Sequence, residues 1–244
     1  MRILGLHAIE ERLRAGGVSG ELLIAKRGAR IDRLAELARR RGVTVRRVSP
    51  DALDRLAANT QNRGVVLHVE GGARPTRGAL YPLLGSAAAP DSLVLVLDGI
   101  TDPQNLGTLL RSADQFAVDF VVLPVRRAAR ETDLVERVSS GASSWVKSTV
   151  ETNLPAAIVR LKEAGFWVYG ADMGGSPAHR LDLNGRVVLV MGSEGRGLGR
   201  LVRERCDGLV SIPAAGHVDS FNVSVAAGIL LYEIRRQQGF FESS

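Results

Sequence analysis

The chain has 244 residues, of which 45% are hydrophobic and 24% are charged, so it is long enough for two domains with buried cores. No stretch approaches the roughly 20 consecutive apolar residues of a membrane span, and Glu10, Glu11 and Arg12 interrupt the segment that would be apolar in a signal peptide. These features predict a cytoplasmic protein with no membrane partner. Cys206 is the single cysteine, which excludes an internal disulfide and a cysteine-based zinc site.

The surplus of positive charge lies at the front of the chain. Residues 1–72 hold 14 basic against 8 acidic residues, a net charge of +6, whereas residues 91–244 hold 16 against 18, a net charge of −2. A basic module joined to a near-neutral one is typical of a protein that holds a nucleic acid with one part. A general preference for arginine is the alternative. Such a preference explains why arginine outnumbers lysine, but it does not explain why basic residues outnumber acidic ones only near the N-terminus.

The first 72 residues alternate helical and extended patterns. Strands are predicted at 21–26, 43–48 and 64–70, and helices at 7–15, at 31–41 and from Ser49-Pro50-Asp51 onward. This pattern predicts a small three-layer α/β domain over residues 1–72. Residues 73–90 are rich in Gly, Pro, Ala and Ser, which predicts a linker.

From residue 91 to residue 244 the pattern is that of a larger domain. Its first predicted strand, 93–99, is a continuous apolar run, as expected of a strand buried on both faces. Further strands are predicted at 119–124, 145–150, 166–172, 187–192 and 208–213, with helices at 105–117, 131–139, 154–164, 198–205 and 220–238. Such alternation predicts a parallel sheet with helices on both sides. Ligands bind such sheets at the carboxyl ends of the strands, so the segments after residues 97, 191 and 212 are candidate sites.

The first of these segments is LDGITDPQNLGTLLRSAD, residues 97–114. Asn105 stands where a helix N-cap is expected, so it is either a simple cap or a functional group. Arg111 follows six residues later, between Leu110 and the small Ala113. An arginine close to a core needs an anionic partner, which is either a ligand or a carboxylate of the same helix, such as Asp114.

The second segment, VVLVMGSEGRGLG at 187–199, takes a strand directly into four glycines. Glycines let a ligand approach the backbone closely near a helix start. Their G-x-x-G-x-G spacing differs from the G-x-G-x-x-G of dinucleotide-binding proteins, which counts against a nucleotide-dependent oxidoreductase. Glu194 either serves a site or caps the following helix.

The third segment is LVSIPAAGHVDSFNVSVAAGILLYEIRRQ, residues 209–237. Its strand ends near Ile212, and Ser220-Phe221-Asn222 leads into a helix rich in small residues. Two polar side chains that flank an aromatic ring at a strand-to-helix corner favour a site, whereas an N-cap is the simpler interpretation of Ser220.

Together these segments resemble the three sequence motifs of the SpoU (TrmH-type) family of RNA ribose 2′-O-methyltransferases in the SPOUT superfamily. The matching stretches are NLGTLLRSA, VLVMGSEGRGL and SIPAAGHVDSFNVSVAAGILLYE, and the resemblance covers residues 93–237. The front unit, beginning GLHAIEERL, resembles the family's small ribosomal-protein-L30e-like RNA-binding domain. The arrangement is similar to the RlmB-type branch, which methylates a guanosine of 23S rRNA. A transfer-RNA target, or a non-catalytic role in RNA binding or ribosome assembly, is the alternative.

The resemblance implies a C-terminal SPOUT parallel-sheet domain with a trefoil knot, which binds S-adenosyl-L-methionine, forms a homodimer and needs no metal. It implies that the basic domain at residues 1–72 binds the RNA. The backbone groups expected to hold the cofactor are those of Gly192, Ile212 and Phe221, the last standing where many relatives have leucine. The implied catalytic residues are Arg111, at the attacking ribose oxygen, and its supports Asn105, Glu194, Ser220 and Asn222.

Overall fold

The structure is a computed structural model of the chain, and it describes residues 2–15, 18–57, 62–70, 76–87, 89–125, 145–216 and 220–242. The chain folds as two compact units, Met1–Gly72 and Ala73–Ser244, each with its own hydrophobic core. The helix predicted at 131–139 lies outside the described residues. Within the described ranges, no helix is long and apolar enough to cross a membrane.

The first unit is built on a four-stranded sheet with the order β1-β4-β2-β3. Its strands are β1 (Arg2–Leu4), β2 (Ser19–Ile24), β3 (Thr44–Arg47) and β4 (Val65–Glu70). Its helices are α1 (Leu6–Ala15), α2 (Ala29–Arg40) and α3 (Pro50–Ala57). Strand β4 is antiparallel to β1 and β2, while β2 and β3 are parallel.

Both faces of this sheet are covered by helices. Leu22 and Ile24 of β2 pack with α1 and α2, whereas Leu23 packs on the other face with Leu53 of α3. Successive side chains of a strand point to opposite faces, so a strand covered on both sides needs an unbroken apolar run. The unit therefore has three layers, as the sequence pattern predicts.

The second unit is built on a seven-stranded parallel sheet with the order β11-β9-β10-β6-β7-β8-β5. Its strands are β5 (Thr76–Arg77), β6 (Leu93–Leu97), β7 (Phe120–Pro124), β8 (Ser148–Glu151), β9 (Trp167–Pro177), β10 (Val187–Met191) and β11 (Gly208–Ser211). Its described helices are α4 (Leu80–Ser86), α5 (Pro103–Gln115), α6 (Leu154–Glu163), α7 (Arg200–Arg205) and α8 (Val223–Gln237). The predicted α/β class with a parallel sheet is confirmed.

Helices cover this sheet on both sides as well. One core joins α5 and α8 to strand side chains such as Leu95 and Leu189. The other core joins α4, α6 and α7 to the alternate side chains, such as Val96 and Val190. Every residue of β6 and β10 is buried, which explains their continuous apolar sequences.

Part of the segment expected to be a linker, residues 73–90, belongs to the second unit. Strand β5 pairs with β8 at the edge of the sheet, with Thr76 opposite Thr149. Helix α4 follows, and its Leu80 is fully buried in the core that contains α6. Helix α4 was not predicted, because its apolar residues lie among the Gly, Pro, Ala and Ser residues that are typical of a linker.

Candidate active site

The carboxyl ends of β6 and β10 are adjacent in the sheet, and β11 lies one strand farther along, beyond β9. The turn after β6 leads into α5, which begins at Pro103. The Asp102 carboxylate caps this helix by accepting hydrogen bonds from the backbone N–H groups of Gln104 and Asn105, each at 3.2 Å. The interpretation of Asn105 as the N-cap is therefore wrong. It is the third helical residue, and it is buried.

The second segment forms a tight turn after β10. Ser193 and Gly197 exchange two backbone hydrogen bonds of 3.0 and 2.9 Å. Gly195 and Gly197 have φ angles of +78° and +64°, in the left-handed region that favours glycine. Gly192 is required for a different reason, because a Cβ there would lie 2.3 Å from the carbonyl carbon of Gly197.

Asp98 ties the first segment to this glycine turn. Its Oδ2 atom accepts a 2.7 Å hydrogen bond from the backbone N–H of Gly199, and its own N–H donates to the Met191 carbonyl at 2.8 Å. In the sequence, Asp98 falls inside the strand predicted at 93–99 and was not named as a site residue. A carboxylate directly after a buried strand was the signal that could have identified it.

Asn222 occupies the N-cap position of α8. Its Oδ1 atom accepts hydrogen bonds from the backbone N–H of Ser224 at 2.9 Å and from the Ser224 hydroxyl at 2.6 Å. The interpretation of Ser220 as the cap is therefore wrong. Ser220 is exposed two residues earlier, and no hydrogen bond joins its side chain to another described residue.

The amide nitrogen of Asn222 connects all three segments. Its Nδ2 atom donates to Asn105 Oδ1 at 3.1 Å and to Glu194 Oε1 at 2.6 Å. We call Asn105, Glu194 and Asn222 the Asn222 junction. The two donor and two acceptor positions of this amide are all used, so its orientation is fixed. Glu194 serves this junction rather than α7, whose N-cap is Gly199.

Arg111 lies elsewhere on α5. Six residues separate it from Asn105, which on an α-helix is about 9 Å along the axis and about 120° around it. Leu109, Leu110 and Ala113 occupy the side of α5 that faces the core, and Arg111 is exposed. The expectation that Arg111 lies close to the core is wrong.

A bulge in β9 forms a further loop at this edge of the sheet, and the sequence analysis did not predict it. The pairing of β9 with β11 jumps from Gly170 to Ser176, so residues 171–175 project from the ladder. An ion pair between Asp172 and Arg203 of α7 holds the bulge, and Met173 is 70% exposed at its tip.

The segments that contain the residues expected to hold a cofactor include open backbone and an exposed aromatic ring. Atoms added at Gly195 or Gly197 would meet nothing within 4 Å, so bare backbone borders open space. Phe221 is 42% exposed and directly precedes Asn222, while Ile212 is half-buried against the core. Open backbone polar groups beside an exposed aromatic ring suit a ligand with a flat ring and polar ends. Gly192 is buried and leads the chain into the turn.

The sequence profile of the SpoU rRNA Methylase family matches residues 92–232, which is more than half of the chain and includes the whole Asn222 junction. The chain belongs to this family. A second profile, described as RNA 2′-O ribose methyltransferase substrate binding, matches residues 2–73. The resemblance stated from the motifs is thus confirmed.

Relatives of the SpoU family match the chain over different lengths. The 23S rRNA (guanosine-2′-O-)-methyltransferase RlmB of Bordetella pertussis is 40% identical and covers 97% of this chain and 98% of its own length. The SpoU methyltransferase AviRb from Streptomyces viridochromogenes, solved in complex with AdoMet, has a TM-score of 0.77 at 26% identity and covers 97% of this chain and 90% of its own. The A. aeolicus TrmH/SpoU tRNA modifying enzyme has a TM-score of 0.57 at 25% identity and covers 67% of this chain and 84% of its own.

Proposed function

We propose that this chain transfers a methyl group from S-adenosylmethionine to the ribose 2′-hydroxyl of a guanosine in 23S rRNA. It is an S-adenosylmethionine-dependent RNA 2′-O-methyltransferase, and the observation that carries its chemistry is the Asn222 junction, which joins the three family motifs. The rRNA target is supported by the ribosomal enzyme that matches almost the full chain. The tRNA-modifying relative matches only 67% of the chain.

The chain's own groups bind and orient the cofactor. Backbone groups of Gly192, Ile212 and Phe221 would hold it, and the Phe221 ring is exposed. When bound, the cofactor supplies a methyl group that a positive sulfur has already activated. The protein therefore has to align the ribose and to assist removal of its hydroxyl proton. Alignment lowers the barrier by several kcal/mol. A positioned proton acceptor raises the rate by about 10²–10⁴-fold.

Arg111 binds the phosphate next to the target ribose and stabilises the negative charge that develops on the 2′-oxygen. A guanidinium stays protonated in proteins, so Arg111 is not a general base. A phosphate oxygen or a water molecule takes the proton. The exposed position of Arg111 on α5 is compatible with a partner as large as RNA.

The Asn222 junction fixes the geometry around this chemistry. It ties α5, which carries Arg111, to the glycine turn and to the start of α8. Glu194 orients its neighbours through the 2.6 Å bond to Asn222. Ser220, exposed at the same corner, is available to hydrogen-bond the RNA.

Replacing Arg111 with lysine tests the role of the planar guanidinium. We expect the transfer of tritium from labelled S-adenosylmethionine to ribosomal RNA to fall about tenfold, because an ammonium cannot make the paired hydrogen bonds of an arginine to a phosphate. The Arg180→Lys change, at an exposed arginine outside the motifs, is the matched control. Near-normal transfer by Arg111→Lys would refute the assignment.

Mapping of 2′-O-methyls at nucleotide resolution, in cells with and without the protein, tests the guanosine target.

The second unit carries a trefoil knot near its carboxyl end and forms a homodimer, and the first unit has the L30e-like fold. The knot is proposed from the family membership, and the strand order is compatible with it, because the chain passes β9 on its way from β10 to β11. The dimer is supported by α8. Its Val225, Ile229 and Tyr232 recur at helical spacing and are 50%, 39% and 51% exposed, so they form an apolar stripe for a second copy.

The first unit holds the RNA through phosphate contacts, and its excess of basic residues supports this role. We expect a chain of residues 73–244 to bind S-adenosylmethionine within twofold of the full chain and to remain a dimer, because the cofactor residues and the α8 stripe lie in the second unit. Its methyl transfer to RNA should fall at least tenfold. Calorimetry, sedimentation velocity and tritium transfer measure the three properties. Retained RNA methylation would disprove the division of labour, and a monomer would disprove the dimer.

A further inference from the structure

A cavity of about 430 Å³ lies in the first unit, where β2 ends and β4 begins. This volume is within the range of roughly 300–1,000 Å³ that is usual for small-ligand sites. The exposed Pro50 of α3 gives the cavity an apolar wall, with the fully buried Leu53 behind it, and Asp54 adds a carboxylate. It is separate from the Asn222 junction, which lies in the second unit.

The polar wall of the cavity is built from a fixed network. Asn62 is only 3% exposed. Its Nδ2 atom donates to Asp54 Oδ1 at 2.6 Å, and its Oδ1 atom accepts from the Gly64 N–H at 2.8 Å. The Gly64 carbonyl in turn accepts the N–H of Ala25 at 2.9 Å. The Asp54 carboxylate is therefore oriented before any ligand arrives.

Two cations stand at the mouth of the cavity. Arg63 has a φ angle of +54°, which is uncommon for a residue other than glycine and marks a strained position. The stem of Lys26 packs on Gly64, where a Cβ would lie 2.5 Å from Lys26 Cγ. Both side chains are exposed, and neither has a carboxylate within 4 Å in the described part of the unit.

An apolar wall, an oriented carboxylate and two cations match the parts of a nucleotide. The cations suit the phosphates, and the exposed Pro50 suits one face of a base. Asp54 keeps free lone pairs after accepting from Asn62, because a carboxylate has about four acceptor positions. Guanine alone presents two adjacent N–H donors on its Watson–Crick edge, which is the pattern that a carboxylate accepts.

A second groove in the same unit fits this role less well. It lies between α1 and α2 and is bordered by Arg14, Arg30 and Arg33. Glu10 lies 2.6 Å from Arg14 and 4.0 Å from Arg30, so two of its three cations are already compensated. The cavity at Asp54 has the oriented acceptor and two cations with no carboxylate of the described residues within 4 Å.

We propose that this cavity captures one unpaired guanosine of the substrate RNA, with Asp54 on the base edge and Lys26 and Arg63 on the flanking phosphates. Sequence-specific proteins recognise RNA mainly through unpaired bases, so a base pocket in the RNA-holding unit gives the enzyme a way to choose its site. The captured nucleotide is an anchor and is distinct from the one that is methylated. This inference rests on the proposed RNA methyltransferase function.

The test measures binding of the full chain to three RNA hairpins by fluorescence anisotropy. One hairpin carries a single bulged guanosine, one a bulged adenosine, and one is fully paired. We expect the bulged-guanosine hairpin to bind about tenfold more tightly than the other two. The Asp54→Asn change should abolish this preference and leave affinity for the paired hairpin within twofold, because asparagine keeps the Asn62 bond but presents a donor to guanine. The unfolding midpoint of this variant should match that of the native chain.

Lys26→Ala provides an independent readout. We expect it to weaken binding and to lower the slope of log affinity against log salt by about one. The control is Arg39→Ala. Arg39 is an exposed arginine at the C-terminal end of α2, about 15 Å from the end of the helix that follows Lys26. Equal slopes for the two variants, or a guanosine preference that survives Asp54→Asn, would overturn the proposal. A native chain that shows no preference but methylates ribosomal RNA refutes this inference alone, whereas a chain that transfers no methyl to RNA refutes the proposed function.

Discussion

Replacing Asn222 with aspartate is expected to lower methyl transfer to RNA about 100-fold, or about 2.7 kcal/mol in the activation barrier, while the stability of α8 is preserved. Aspartate can still accept the two hydrogen bonds from Ser224 and is as good an N-cap as asparagine. It cannot donate to Asn105 and Glu194. Instead it places a second carboxylate against Glu194, where the native contact is 2.6 Å, and the two charges repel.

Asn153 offers a matched control for this change. It caps α6 in the same way, with its Oδ1 atom accepting the Ala156 N–H at 3.1 Å, and it lies outside the three motif segments. We expect Asn153→Asp to leave transfer within twofold of the native rate. Single-turnover tritium transfer at saturating cofactor measures the rate, and thermal unfolding measures stability. Native-like transfer by Asn222→Asp would show that the junction does not set the geometry of the site.

A second change can rescue the first. In the double variant Asn222→Asp with Glu194→Gln, the glutamine amide can donate to the new aspartate, which restores one hydrogen bond with its direction reversed. We therefore expect the double variant to transfer methyl groups about tenfold faster than the single Asn222→Asp variant. A further fall in the rate of the double variant would show that the Glu194 carboxylate does more than hold Asn222.

The second unit was largely predictable because its central strands are extreme in composition. β6 and β10 are buried on both faces, so their sequences are unbroken apolar runs that few other structures permit. β1 and β5 were missed because three and two residues are too few to show a period. The end of β9 was missed because the bulge at 171–175, ADMGG, has the composition of a loop.

The candidate site was predictable in its members but not in its contacts. At two of its helix starts the residue named as the cap from the sequence, Asn105 or Ser220, was the wrong one, because the true cap depends on where the helix begins. At α5 the sequence did contain the answer, since proline favours the first helical position and Asp102 directly precedes Pro103. At α8 nothing local separates Ser220 from Asn222. The exposure of Arg111 could have been predicted from the 100° turn per residue of an α-helix, which places it away from the buried Leu109, Leu110 and Ala113. Its apolar neighbours in sequence instead suggested that it was close to the core.

Arg235 anchors the other end of α8. It is 3% exposed, and its guanidinium donates to the backbone carbonyls of Phe116 at 2.8 Å and Asp91 at 2.9 Å, and to that of Ala117. It also lies over the ring of Phe240, 4.8 Å from its centre. Burial lowers the pKa of this guanidinium from its ordinary value. One side chain thus joins α8 to the end of α5 and to the segment before β6.

Replacing Arg235 with methionine keeps much of the volume of this buried side chain but takes the donor away from the three carbonyls. We expect a loss of about 3 kcal/mol in the free energy of unfolding of the second unit, and a midpoint lower by roughly 10 °C. The neighbouring Arg236 is exposed and pairs with Glu233 at the surface, so Arg236→Met should cost much less stability than Arg235→Met. Urea and thermal unfolding of the two variants measure the difference, and equal losses would mean that the buried hydrogen bonds carry no net stability.

The same pair of variants separates anchoring from catalysis. Arg235 lies more than three turns from Asn222 along α8, and neither its loss nor that of Arg236 removes a hydrogen bond of the Asn222 junction. At 25 °C both variants should therefore transfer methyl groups at close to the native rate. As the temperature approaches its lowered midpoint, Arg235→Met alone should lose activity, in parallel with its loss of folded structure. Activity lost at 25 °C without unfolding would instead mean that the position of α8 tunes the junction directly.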